Sequence, residues 1–394
     1  MTRICILMQG IQTLGGVQRV ISCMMSELVQ DPDYEIYICH PFTRKGEELY
    51  HIDSRINQID AKQFYCKNTA FKRILKKVNR NTRIFVKHPG FLQQLYYPQK
   101  QVEALREWVS LKKIDILVGA APTYAILAGI VAAKLPGVKV IAWMHSTYKS
   151  YFHIKGHPEY SQQELFNLYA KYFDKMFVLT NSEKETFSRY TYGLRVEPEV
   201  FYNPITIRVR QQVTHAPNRL LYVGRINVEP KGCDLLLKIV RRLKEKGTDF
   251  TVDVVGTGEY LDTLKRLSAE QGLENIMIFH GLSNHVEEFY EKATIQLVTS
   301  RYEGFGLIIT EAMAHGVPVV AFHADGPDEI IQDGVSGCLI EQFDCDAYAN
   351  KIVELLSSPS KLQEMSTHAL LRANDFSLTA TVESFKKHIT ECMN

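Results

Sequence analysis

Residues 219–259 read RLLYVGRINVEPKGCDLLLKIVRRLKEKGTDFTVDVVGTGE. Two short, largely apolar runs, LLYV and FTVDVV, flank a segment of a different period. In GCDLLLKIVRRLKEKG the apolar residues recur three and four positions apart, and Gly247 suits the left-handed stop of a helix. Strand, helix and strand joined in this way form the βαβ unit of a parallel sheet.

The same alternation continues in both directions. Towards the C-terminus come EYLDTLKRLSAEQG as a helix, IMIFHG as a strand, VEEFYEKA as a short helix and IQLVTS as a strand. LIITEAMAHG then reads as a helix, VPVVAF as a strand and DAYANKIVELLSS as a late helix. Towards the N-terminus, ICILM is a strand ending near Gly10, followed by the helix GGVQRVISCMMSELVQ. IDILVGA, VKVIAWMH, MFVLTN and EVFYNP read as further strands, and YAILAGIVAAKL as an apolar helix. The pattern runs through once and restarts, predicting two doubly wound α/β domains in tandem. The boundary falls in NPITIRVRQQVTHAPN, residues 203–218, which has two prolines and no helical period. The predicted domains are residues 1–203, residues 204–375 and a C-terminal helix, 376–394, returning towards the first domain.

The 394-residue length suits two such domains, at roughly 100–200 residues each. Eight cysteines lie scattered without a C-x-x-C pair, so reduced, mostly buried thiols of a cytosolic protein are expected. There is no run of 18 apolar residues, hence no expected transmembrane helix. The five-residue apolar run in MTRICILMQG is too short for a signal peptide. The net charge of +2 is unevenly placed: residues 1–203 carry +9 and the remainder −7. The positive half is therefore expected to meet something anionic, a membrane surface or a phosphorylated substrate.

Candidate site residues sit just after strands. Gly224 ends one, Arg225 follows, and Lys231-Gly232 precedes a helix. Two cations beside a helix N-terminus suit a diphosphate. Gly256 and Gly258 in VVGTGE permit a close backbone approach to a ligand. Gly15 and Gly16 open the first helix, where backbone N–H groups can meet phosphate. In RYEGFGLIITEA, residues 301–312, Glu303 lies in a loop and Glu311 about one turn into a helix. The N–H groups near Gly306 and Leu307 can receive an anion, and the two carboxylates can accept hydroxyl pairs.

These residues carry a resemblance. Residues 219–340 resemble the donor domain of the retaining GT-B glycosyltransferases of the large glycosyltransferase family 4. The shared features are Glu303-x7-Glu311 with EGFGL and EAMAHGVPVVA, VGR with KG, GTGE, and GPDEII. GGVQRV and WMHS near the N-terminus fit as well. The resemblance implies a GT-B fold, two Rossmann-like domains facing a central cleft, and a nucleotide-sugar donor, most simply a UDP-sugar. It implies that Arg225 and Lys231 hold the diphosphate and that Glu303 binds the donor sugar, beside the backbone of Phe305, Gly306 and Leu307. Glu311 would accept from ribose, Gly16 would touch phosphate, and His145 would contact the sugar. Transfer would proceed with retention and without a cofactor or metal. DCD at Asp344–Asp346 is read not as a metal motif but as a helix cap at Asp344.

One segment stands outside that pattern. Over residues 68–97, Phe71, Ile74, Leu75 and Val78 share one helical face and Lys72, Arg73, Lys76, Lys77 and Arg80 the other. From Lys67 to Lys87 there are eight cations and no acid. Residues 68–88 are expected either to lie on an anionic membrane or to dock on the domain's own core with a solvated basic face. Nucleic acid is not an expected partner, because no groove-reading or stacking motif accompanies the charge. The expected protein is a cytoplasmic, membrane-peripheral glycosyltransferase acting on a glycan or lipid-linked acceptor. A non-catalytic nucleotide-sugar-binding subunit and a GT-B epimerase or phosphorylase are the alternatives.

Overall fold

A computed structural model describes residues 1–10, 15–40, 50–60, 64, 69–209 and 217–394. Cys66, Lys67 and residues 210–216 of the expected boundary lie outside the described residues. The chain divides into two compact units: Met1–Tyr202 with Leu378–Asn394, and Asn203–Ser377.

The first unit is built on seven parallel strands: β1 (Thr2–Leu7), β2 (Tyr34–His40), β3 (Asn57–Asp60), β4 (Ile116–Ala120), β5 (Lys139–Trp143), β6 (Lys175–Val178) and β7 (Glu199–Val200). Their order is β3-β2-β1-β4-β5-β6-β7. The second unit has six: β8 (Arg219–Val223), β9 (Thr251–Val255), β10 (Met277–Gly281), β11 (Ile295–Val298), β12 (Val319–Phe322) and β13 (Gly337–Ile340). Their order is β10-β9-β8-β11-β12-β13, again all parallel. The central strands β4 and β11 are buried throughout, as helices on both faces require. In each sheet the order reverses at one point, between β1 and β4 and between β8 and β11. There the connections leave to opposite sides and open a crevice beyond the strands' carboxyl ends.

Two expected elements differ. EVFYNP joins the sheet only at Glu199–Val200. The basic segment is two helices, Ala70–Thr82 and Pro89–Tyr96, because the chain turns left-handed at Arg83 (φ 56°). Pro89, at the first position of the second helix, supplies its preset φ there.

The helix Leu378–Met393 completes the first unit. It buries Val382, Phe385, Ile389 and Cys392. Phe385 stacks on the fully buried Trp143, with centroids 5.7 Å apart, and also meets Phe177 and Phe201. At the rim of this contact Lys175 Nζ bonds Glu199 at 2.8 Å and Glu391 at 3.0 Å, and Lys386 pairs with Asp31 at 3.0 Å. The aromatic cluster is the anchor, since exposed ion pairs add little. Phe385→Ala should lower stability by about 3–5 kcal/mol, measured by denaturant unfolding. Lys386→Ala should cost under about 1 kcal/mol.

Candidate functional site

At the β8/β11 switch point two loops meet. The first, Asn227–Gly232, leads into the helix Cys233–Glu245; the second, Thr299–Gly306, leads into the helix Leu307–Ala314. The loops are locked together by Arg301. Its Nη1 and Nη2 donate to the two carboxylate oxygens of Asp234, both at 2.8 Å, and Nη1 also donates to the Val228 carbonyl at 2.9 Å. The Arg301 backbone N–H donates to the Pro230 carbonyl at 2.7 Å, and the Thr299 hydroxyl donates to the Lys231 carbonyl at 3.1 Å. Burial pushes the Asp234 carboxyl up, but the guanidinium more than reverses this and leaves it below the usual range.

This lock positions Lys231. Its Nζ donates to Glu303 Oε2, which also accepts from the Ser300 hydroxyl at 3.2 Å. The sugar acid and the phosphate cation of the sequence reading are therefore direct partners. Arg225 stands exposed one residue beyond Gly224, without an ion-pair partner among the described residues. Phe305 is buried and packs edge-on against Phe376, with centroids 5.8 Å apart, so its ring anchors the loop and only its backbone faces outward chemistry. Gly306 caps and Leu307 opens the following helix. A side chain on Gly326 would put Cβ 2.0 Å from the Phe305 carbonyl oxygen, which explains the glycine of GPDEII.

Two expected ligands have different surroundings from those anticipated. Glu311 is only 1% exposed; its Oε1 accepts from the Thr206 hydroxyl at 3.1 Å and its Oε2 from the Tyr290 hydroxyl at 3.4 Å. The approach that Gly256 permits is of chain to chain: a Cβ there would sit 1.8 Å from the Gly224 carbonyl oxygen. The sequence reading missed Asn227, Ser300, Arg301 and Thr206. Arg301 and Thr206 have partners far away in the chain, so no local spacing marks them, whereas Ser300 bonds Glu303 three residues on and the Asn227 side chain accepts from the Lys231 N–H at 3.3 Å within one loop. Asp344 caps its helix, accepting from Ala347 N–H at 2.8 Å. Among the described residues one group has metal-like geometry, Glu199, His388 and Glu391 in the first unit, and Lys175 already bonds both carboxylates.

In the first unit Gly16 begins the helix Gly16–Leu28, and the Gly15 N–H donates to the Tyr50 hydroxyl at 3.1 Å. The His145 ring, just past β5, meets that of Trp143 at a tilt of 36° with centroids 4.6 Å apart, and the His145 backbone N–H donates to the Tyr151 hydroxyl at 3.1 Å. It lines a cavity of about 780 Å³ at the β1/β4 switch point, where Gln9, Ala121 and Thr123 also contribute. The cations of the basic helix were expected on lipid or in solvent. Arg73, Lys76, Lys77 and Arg80 instead line this cavity, while Phe71, Ile74 and Val78 are exposed. The expectation of an apolar face docked on the core thus fails for these three residues; only Leu75 of that stripe packs against it. Burial, then the nearby Lys72 and Arg80, lower Lys76 to a pKa of about 8.

Residues 14–208 match the family described as Glycosyltransferase Family 4, and residues 205–372 match Glycosyl transferases group 1. Together the matches span most of the chain, which belongs to the family-4 glycosyltransferases and has the GT-B fold. An uncharacterized glycosyltransferase of Haemophilus influenzae is 26% identical over 326 residues, covering 81% of this chain and 87% of the relative. The fold matches the lipopolysaccharide outer core galactosyltransferase WaaB at a TM-score of 0.73 and 18% identity, over 99% of both chains. It also matches Anabaena HepE in complex with UDP at 0.72 and 16% identity, over 99% of this chain and 100% of that one.

Arg301→Ala should destabilise the protein by about 1–3 kcal/mol, and Arg301→Lys should recover only part, because one ammonium cannot make the fork. Asp234 is held below its ordinary value, so its contribution is complete above the unfolded pKa, about 3.9, and is lost as pH falls through the folded one. The gap between Arg301→Ala and wild type, followed by urea unfolding, should therefore be constant near neutrality and close in strong acid.

Proposed function

We propose that the chain transfers a hexose or N-acetylhexosamine from a UDP-sugar to a glycan or lipid-linked acceptor, with retention and without a metal ion. The product would be a surface polysaccharide, glycolipid or glycoprotein glycan. The observation that carries this reading is the convergence of Lys231, Glu303 and two helix N-termini at one switch point. UDP bound to the structurally similar HepE supports the choice of nucleotide.

In this reading the departing diphosphate is neutralised by Arg225, Lys231 and the partial positive charge of the helix ends. That supply of positive charge is the physical argument for metal independence. A donor exchanges the Lys231–Glu303 pair for two better-matched contacts, ammonium to phosphate and carboxylate to sugar hydroxyl. Ribose takes the place of the Thr206 hydroxyl at Glu311. His145, on the cavity wall, meets sugar hydroxyls. The leaving phosphate takes the acceptor's proton as front-face attack proceeds, since no second carboxylate is assigned as a nucleophile.

Peripheral attachment at the inner face of the cell membrane is part of the proposal. Phe71, Ile74 and Val78 are exposed on a helix dense in cations, and no helix among the described residues is long and apolar enough to cross a membrane.

A panel of UDP-sugars with product NMR tests the reading. One UDP-sugar should turn over with the donor's anomeric configuration kept, and chelation should leave the rate unchanged. Lys231→Ala and Glu303→Ala should each lower kcat roughly 100- to 1,000-fold. Tight UDP binding without turnover on any acceptor would replace the enzyme by a binding subunit. Phe71→Asp with Ile74→Asp should abolish flotation with phosphatidylglycerol vesicles at low salt.

A further inference from the structure

We propose that the cavity of the first unit takes a phosphate-bearing saccharide acceptor, its anionic group held by Arg73, Lys76, Lys77 and Arg80. This deepens the transferase reading above and rests on it.

The four cations occur at i, i+3, i+4 and i+7 of the helix Ala70–Thr82, so their side chains leave one edge of it together, and all four line the cavity. Among the described residues they face a single carboxylate there, that of Glu159. Both its oxygens are engaged: Oε1 accepts from the Thr123 hydroxyl at 2.8 Å, and Oε2 lies 2.9 Å from His157 Nδ1. One carboxylate against four cations leaves the rim positive. Among the described residues Arg73, Lys77 and Arg80 have no carboxylate partner. Cations on other helices do, as in Arg241–Glu245, Arg266–Glu270 and Lys351–Glu354.

Concentrating like charge around a hollow carries a repulsive cost that a bound anion relieves. The depressed pKa of Lys76 reports the same repulsion together with burial. Arginine forks and lysine ammonium groups are the side chains that hold phosphate.

The floor has a second chemistry. The Tyr97 hydroxyl has two acceptors within reach of its one proton, Gln162 Oε1 at 2.7 Å and the Thr123 carbonyl oxygen at 3.0 Å, among further tyrosines and the His145 imidazole. Aromatic walls with amide, hydroxyl and carboxylate groups suit the faces and hydroxyls of a sugar ring. A basic rim above such a floor fits a sugar carrying phosphate. The phosphate can be soluble or borne by lipid, and the exposed stripe of Phe71, Ile74 and Val78 on the same helix leaves both sources open to test.

The test uses the full chain in a thermal-shift titration with inorganic pyrophosphate, with and without saturating UDP. With UDP present, pyrophosphate should produce a further stabilising shift. Arg73→Ala/Lys77→Ala/Arg80→Ala should weaken that second response roughly tenfold or more while the UDP response stays, which also shows the variant is folded. Loss of the second response in wild type, or its survival in the triple variant, overturns the proposal. Absence of a UDP response in wild type overturns the donor assignment instead; a pyrophosphate shift that the triple variant loses then still supports the cavity. Flotation with vesicles of phosphatidylglycerol and phosphatidylcholine, against phosphatidylcholine alone, identifies the source. Binding competed by pyrophosphate and lost in the triple variant means lipid-borne phosphate in the cavity. Vesicle binding indifferent to both means that the cavity takes a soluble phosphosugar.

Discussion

The Arg301 fork on Asp234 is the constraint on which the second unit's chemistry depends. It ties together two loops whose residues lie 67 positions apart in the chain. Neither loop has a regular backbone ladder of its own. Taking a guanidinium and a carboxylate partly out of water is costly, and the fork offsets this only because both oxygens and two nitrogens are satisfied at once. With the fork in place, the Pro230 and Lys231 carbonyls dock on the opposite loop and the Lys231 ammonium meets Glu303. The Lys231–Glu303 pair is thus mounted on the Arg301–Asp234 pair.

Each unit applies the same topological rule to different ends. At the β8/β11 reversal the strands' carboxyl ends are crowded. Gly256 lies against Gly224, and Gly326 lies under Phe305. Beside this close-packed backbone stand two helix N-termini and the Lys231 and Glu303 side chains. At the β1/β4 reversal the walls are wide and carry tyrosine and histidine rings. One switch point offers dipoles and the other offers surfaces.

The central strands were legible because parallel strands buried on both faces are written as short apolar runs, as in LLYV or ILVGA, whereas β2, β3 and β13 went unread. Glu303, Glu311, Arg225 and Lys231 could be singled out because each follows such a run; the structure pairs Lys231 with Glu303, buries Glu311 and leaves Arg225 exposed. The fork was not: Arg301 looked like an ordinary loop cation, and its partner is specified only by the folded geometry. GTGE was noticed for its glycines, yet their nearest neighbour is the adjacent strand's own backbone. The amphipathic period of residues 70–82 was legible as a helix; of the two settings expected for its apolar stripe, docking on the core fails except at Leu75, and Phe71, Ile74 and Val78 are exposed. Periodicity tells which residues share a face and not what that face meets. The cavity was invisible for a related reason, since its lining comes from five separate stretches between Gln9 and Gln162.

The helix Leu378–Met393 belongs to the unit that the chain begins and not to the one it has just left. The second unit is therefore an insertion, and the first is discontinuous in sequence. During synthesis the sheet β1–β7 is complete by Val200, yet the ring of Trp143 lacks its Phe385 cover until nearly two hundred further residues have been made. The unit that starts folding first is the last to finish. A chaperone or a nascent-chain partner that recognises exposed aromatic surface would find it there, and loss of the chain beyond Ser377 would uncover the N-terminal unit's core while leaving the C-terminal unit's own chain intact.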